Sequence, residues 1–100
     1  MVNLLQETID TLKQHNKEQS DVLWVDDGLD NYMLWSEFKK LSDIKYDCSY
    51  GGQEINPHLK VIGKDFWLER HEYDGSEWWE FKSKPKKPKN HSKIEIIQIY

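Results

Sequence analysis

The strongest constraint on how this chain folds is only four residues long. Tyr73-Asp74-Gly75-Ser76 sets an Asp-Gly pair between two runs rich in aromatic residues. An Asp-Gly pair accepts the positive φ angles of a tight two-residue turn at little cost, so the flanking runs are expected to pair as an antiparallel hairpin. Such a loop sets Tyr73 opposite Ser76, and every further pair follows from that one. His71 then faces Trp78, Glu69 faces Glu80 and Trp67 faces Lys82, while Arg70 faces Trp79 and Leu68 faces Phe81. Side chains alternate along a strand, so the hairpin has two different faces. Phe66, Leu68, Trp79 and Phe81, with the Arg70 stem beside them, make an apolar face suited to packing on helices. Trp67, Glu69, His71, Tyr73, Trp78 and Glu80 make the other.

Periodicity supplies the remaining elements. Val2, Leu5, Ile9 and Leu12 recur at helical spacing and predict a helix over residues 3–16, with Asn3 as N-cap and Gln6 in the capping-box position. Val22-Leu23-Trp24-Val25 reads as a short buried strand, followed by the turn Asp26-Asp27-Gly28 and a second short strand over residues 31–34. Ser36-Glu37-Phe38 opens a short helix that ends near Asp43, with Leu34, Phe38 and Leu41 on one face. Residues 44–57 read as a loop, with Gln53-Glu54-Ile55 a candidate helical turn. Residues 59–62 form a strand, and Gly63-Lys64 a turn before the hairpin. The predicted class is therefore α+β: two helices packed on one face of a small antiparallel sheet with a C-terminal β-hairpin. Residues 1–82 make one domain, and residues 83–100 a Lys/Pro-rich tail. Within that tail Ile94-Glu95-Ile96-Ile97-Gln98-Ile99 has strong β propensity and reads as an edge strand or an adhesive segment, so self-association through residues 94–100 is one expectation.

Size and charge narrow the function. A chain of 100 residues buries roughly two thirds of its unfolded surface, which gives one modest core and little room for a deep cleft. Residues 1–81 hold 8 Lys/Arg against 17 Asp/Glu, whereas residues 82–100 hold 6 Lys against 1 Glu. An acidic body repels phosphate and attracts basic partners, which argues against direct, sequence-specific nucleic-acid binding. The single cysteine, Cys48, forms no disulfide within the chain and points to a reducing compartment, the cytoplasm. No apolar run is long enough to span a bilayer, and the N-terminus lacks a signal-peptide pattern.

Each chemistry-bearing cluster has two readings. Aromatic and charged residues together on a strand face resemble a protein-binding hot spot, with Trp67, Tyr73 and Trp78 as anchors; the plainer reading is cross-strand aromatic pairing that stiffens the hairpin. Glu69 and Glu80, with His71 beside them, are the residue types of an acid–base pair or a metal site. An open face gives such a site no pocket, so a solvated charged face bridged by Lys82 is the plainer reading. Asp26, Asp27 and Asp30 around Gly28 lack the calcium-loop spacing and its twelfth-position Glu. Gly51-Gly52 lacks the Lys-Ser/Thr of a phosphate loop, although Tyr50, Gln53 and Glu54 beside it are candidates for a binding surface. His15, His58, His71 and His91 are scattered, and none stands beside Cys48 in sequence. No catalytic residue, cofactor or metal ligand is assigned. The partner-binding set is Trp67, Glu69, His71, Tyr73, Trp78, Glu80, Asp26, Asp27, Tyr50 and Glu54.

The blocks Asp21-Val22-Leu23-Trp24-Val25, Trp35-Ser36-Glu37-Phe38, Gly51-Gly52-Gln53-Glu54-Ile55 and, above all, residues 67–81 from Trp67-Leu68-Glu69-Arg70-His71 onward carry a resemblance. Over most of residues 1–82 the chain resembles a group of small uncharacterised proteins of phages, prophages and other mobile elements of Gram-positive bacteria. The Lys/Pro tail lies outside it. The resemblance implies a setting in which small acidic proteins inhibit host machinery, anti-CRISPR and other counter-defence proteins among them. A non-enzymatic inhibitor that binds a Cas effector nuclease is the expectation it carries. An accessory or regulatory interaction module unrelated to defence is the first alternative, and a metal protein or enzyme using Glu69, His71 and Glu80 the second.

Overall fold

The computed structural model describes residues 1–47 and 52–98; Cys48 and Tyr50 lie outside the described residues. The elements run β1 (Val2–Asn3), α1 (Leu4–Gln14), a 3₁₀ turn (Gln19–Asp21), β2 (Val22–Asp26), β3 (Tyr32–Met33), α2 (Trp35–Leu41), β4 (Lys45–Tyr46), β5 (Lys60–Gly63), β6 (Phe66–Tyr73) and β7 (Ser76–Ser83). Five strands form one antiparallel sheet in the order β3-β2-β5-β6-β7, and β1 pairs with β4 in a separate two-stranded sheet. The two helices cover one face of the five-stranded sheet, and β6 and β7 form the hairpin, so the α+β class holds.

The turn does what its residues require. Asp74 (φ 51°) and Gly75 (φ 86°) both adopt positive φ, and all six pairs expected from the two-residue loop are present. Along the covered face Val25 pairs with Val61, Val61 with Leu68, and Leu68 with Phe81; the first three are fully buried. At roughly 1.5–3 kcal/mol per buried aliphatic side chain, this row is the spine of the core. Trp79 lies beside it and anchors α1, its indole N–H donating to the Thr8 hydroxyl at 2.8 Å. Gly63 is a glycine for a steric reason. A Cβ there would sit 2.0 Å from the ring of the buried Phe66.

α1 begins as expected at Asn3, whose side-chain oxygen accepts from the Gln6 N–H at 2.9 Å. Its buried stripe is rotated from the expected one: Leu4, Thr8, Thr11 and Leu12 face inward, whereas Leu5 and Ile9 are half-buried. Two threonines are tolerated there because each hydroxyl donates to the carbonyl four residues back, Thr8 to Leu4 and Thr11 to Glu7. Gln6 does not close a capping box. Its amide donates to Asp10 instead.

Four other expectations need correction. Val22-Leu23-Trp24-Val25 is not a buried strand throughout: a register shift between Val22 and Trp24 leaves Leu23 and Trp24 exposed while Val22 and Val25 stay inside. In α2 only Phe38 is buried; Leu34 and Leu41 face outward because a helix this short presents a single turn to the core. Residues 53–55 form no helical turn, and Ile55 enters the core from an extended loop. Residues 84–98 contain no strand and are exposed. Among the described residues no helix is long and apolar enough to cross a membrane.

Candidate protein-interaction face

The face of the sheet opposite the helices carries a regular pattern. The register places Trp24, Ile62, Trp67 and Lys82 in one row across four strands, and Asp26, Lys60, Glu69 and Glu80 in the next. Further along the hairpin His71 faces Trp78. Residues two apart on a strand share a face and lie about 7 Å from each other, within reach of an indole. Each of the three tryptophans uses that spacing in the same way. Trp24 donates its ring N–H to Asp26 (2.9 Å), Trp67 to Glu69 (2.7 Å) and Trp78 to Glu80 (2.7 Å). Each ring is thus held along its strand by a carboxylate that still has a free lone pair or a second oxygen to offer.

Glu69 is the most heavily engaged of these acids. Its second oxygen lies 3.0 Å from His71 Nε2. The Trp67 indole bond, with the His71 contact and the Lys82 charge opposing partial burial, holds its carboxyl below the ordinary value of 4.5. Glu80 faces it across the hairpin but is turned to its own indole, so the two carboxylates do not form a shared-proton pair. A depressed Glu69 is also the wrong direction for a general acid. Among the described residues no three His, Cys, Asp or Glu side chains come together closely enough to hold a metal ion. The Glu69, His71 and Glu80 trio therefore shares a face without forming a metal site.

At the β2 end the face runs into the Asp-rich turn. Asp26 accepts from the Gly28 N–H, and the Asp27 carboxylate accepts from the Leu29 and Asn31 N–H groups and the Asn31 amide. The Asn31 amide first, then the Leu29 N–H, lowers the Asp27 pKa from its ordinary 3.8. These bonds close the turn on itself. A cleft of about 440 Å³ lies beside it, between Leu23, Trp24, Leu29 and Tyr32 with Asp26 and Asp30 at its edge.

The expected partner-binding residues thus separate into groups. Trp67, Glu69, His71, Trp78 and Glu80 share one face, with Tyr73 at its hairpin end and Asp26 and Asp27 at the other. Glu54 does not join them. Its backbone N–H donates to Glu77 on the helix-covered side. Sequence reasoning missed Trp24 and Tyr32 as members of the open face. The signal was there: Trp-x-Asp/Glu occurs on three strands at 24/26, 67/69 and 78/80. Trp35-Ser36-Glu37 has the same spelling on a helix, where such residues diverge, and its indole goes to Gln19 instead (3.2 Å).

A second polar cluster lies beneath the helix side. Arg70 has no exposed side-chain surface; it donates to Glu7 (2.8 Å), to the Tyr46 hydroxyl (3.0 Å) and to the equally buried Glu77 (2.9 Å). The Tyr46 hydroxyl in turn donates to Glu7, and Glu77 accepts the Glu54 and Ile55 N–H groups. The guanidinium lies 4.8 Å from the Trp79 ring. Burial opposes its charge, but the bonds to Tyr46, Glu7 and Glu77 prevail and raise its pKa; burial likewise lifts the Tyr46 phenol above its usual range. These bonds tie α1, β4, the 54–55 loop and the hairpin together inside the fold, and the buried Arg70 Nε is the one guanidinium nitrogen left without a hydrogen-bond partner among the described residues.

Comparison with protein-family models, curated proteins and solved structures finds no match to this chain.

Proposed function

We propose that this protein is a non-enzymatic protein-binding module whose open sheet face docks on a basic surface of another protein. The observation that carries the reading is the set of three indole–carboxylate clasps on a face that no helix covers. A tryptophan ring beside a carboxylate receives a lysine or arginine twice over, through the ring face and through the charge. The rings are already held by their hydrogen bonds, so the partner is spared part of the roughly 0.5–1.5 kcal/mol that ordering each such side chain takes. An acidic body of this kind also steers toward positive surfaces and away from phosphate.

Within that class the reading is narrower. The protein acts as an inhibitor from a mobile element, an anti-CRISPR that occupies the positively charged nucleic-acid channel of a Cas effector. The resemblance of residues 67–81 to mobile-element proteins supports this, together with the charge of the body. The test is affinity capture by the tagged protein from a host lysate, followed by titration calorimetry with Glu69→Lys/Glu80→Lys. Stoichiometric recovery of a defence nuclease is expected. The charge-reversed variant is expected to lose at least ~100-fold in affinity, about 3 kcal/mol, while the domain stays folded. Unchanged affinity would remove the open face as the contact surface. Capture of a basic partner outside defence would keep the face and change the role.

A further inference from the structure

We propose that residues 94–98 of one copy add as a sixth strand to β7 of a second copy, and that the exchange is mutual. The observations behind this are separate from the open-face reading, because they concern the edge of the sheet and the tail. β7 ends the strand order and is eight residues long, whereas the opposite edge, β3, has two. An edge strand directs every second residue's N–H and C=O outward, which is the template for strand addition. Ile94, Ile96 and Ile97 are 75%, 88% and 75% exposed, three β-branched residues with no core of their own. Among the described residues there are thus an unpaired strand former and one long unpaired edge.

The connecting residues decide which copy receives the strand. Residues 84–93 hold five lysines and two prolines and no glycine. Like charges and proline favour an extended segment, about 3.1 Å per residue, and with no glycine it lacks the residue that most readily makes the tight reversal back to its own β7. The molecule is 50 Å along its longest axis against 31 and 27 Å along the others, and residues 84–98 are exposed throughout. Charge favours the crossing. A linker of five lysines meets a body whose residues 1–81 carry 17 Asp/Glu against 8 Lys/Arg, with Glu80 on the open face of the receiving strand itself. Mutual exchange closes the assembly at two copies, since each edge is then occupied.

The test is sedimentation velocity of the full chain across the micromolar range, with hydrogen exchange read residue by residue. The expected mass is twice the 12.1 kDa of one chain, with the amides of residues 94–98 protected. Ile96→Pro removes a donor from an 88% exposed residue, so the body keeps its melting curve while the mass falls to that of one chain; Ile96→Val keeps the dimer. A monomer at every concentration overturns the proposal. So does a dimer that survives Ile96→Pro, and so does protection of residues 94–98 in a monomer, which would place the strand on its own sheet.

Discussion

Replacing Arg70 with methionine tests the account of the buried polar cluster most directly. The side chains are similar in volume, so the change removes charge and hydrogen bonds without opening a large cavity. Glu77, with no exposed side-chain surface, would keep only the N–H groups of Glu54 and Ile55, while Glu7 would keep Tyr46 and its 18% exposure. Stranding one member of a buried pair costs about 3–5 kcal/mol. A domain of this size holds about 5–15 kcal/mol in all, so Arg70→Met removes a third or more of a mid-range value. With a urea dependence of about 1.5 kcal/mol/M, the midpoint falls by roughly 2–3 M. Adding Glu77→Gln discharges the stranded carboxylate while keeping an acceptor for the loop. The double variant is therefore expected to be more stable than Arg70→Met alone, a coupling that only a cycle of single and double variants isolates. Urea unfolding followed by far-UV circular dichroism reads all four proteins. A loss below about 1 kcal/mol for Arg70→Met, or a double variant weaker than it, would refute the argument that charge pairing across α1 and the hairpin holds this side of the fold.

Three further outcomes follow from single contacts. Gly63→Ala drives a methyl into the Phe66 ring at 2.0 Å and should lower stability by about 1–3 kcal/mol, a melting-point loss on the order of 5–20 °C; an unchanged melt would mean the β5–β6 turn yields freely. Thr8→Val leaves the Trp79 indole N–H without its 2.8 Å acceptor and should cost about 1–3 kcal/mol in urea unfolding, more than an exposed Thr→Val change. Trp67→Phe removes the first cause of the low Glu69 pKa, so that carboxyl should titrate nearer 4.5 in a ¹³C NMR titration. A depressed carboxyl adds stability above its unfolded value and loses it as pH falls through the folded one, so the variant should lose less stability on acidification below 4.5 than the parent; an unmoved titration would assign the shift elsewhere.

How legible the fold was depended on how local the determining physics is. The hairpin register followed from Asp74-Gly75 alone, because turn geometry and the two-residue period leave no freedom once the loop length is set. The pairing of Val2 and Asn3 with Tyr46 and Lys45 was invisible, since two short strands far apart in sequence carry no pattern of their own. Thr8 and Thr11 hid the true inner stripe of α1: hydroxyls count as polar in a periodicity argument, yet a bond to the preceding turn satisfies them. Arg70 was placed on the right face but read as a stem alongside it, because one-dimensional reasoning cannot see that four polar groups from four elements meet. The open face was half legible. Its hairpin members were found through alternation, and Trp24 was lost to the reading of an apolar run as wholly buried.

The division of labour between the two sides of the sheet has an evolutionary consequence. Val25, Val61 and Leu68 point one way, and their immediate neighbours Trp24, Ile62, Trp67 and Glu69 the other. Substitutions in the second set leave the first in place, so the outward surface can be rewritten residue by residue while the scaffold stays constant. A protein built like this can follow a changing target, or acquire a new one, along a path of single steps that each still fold.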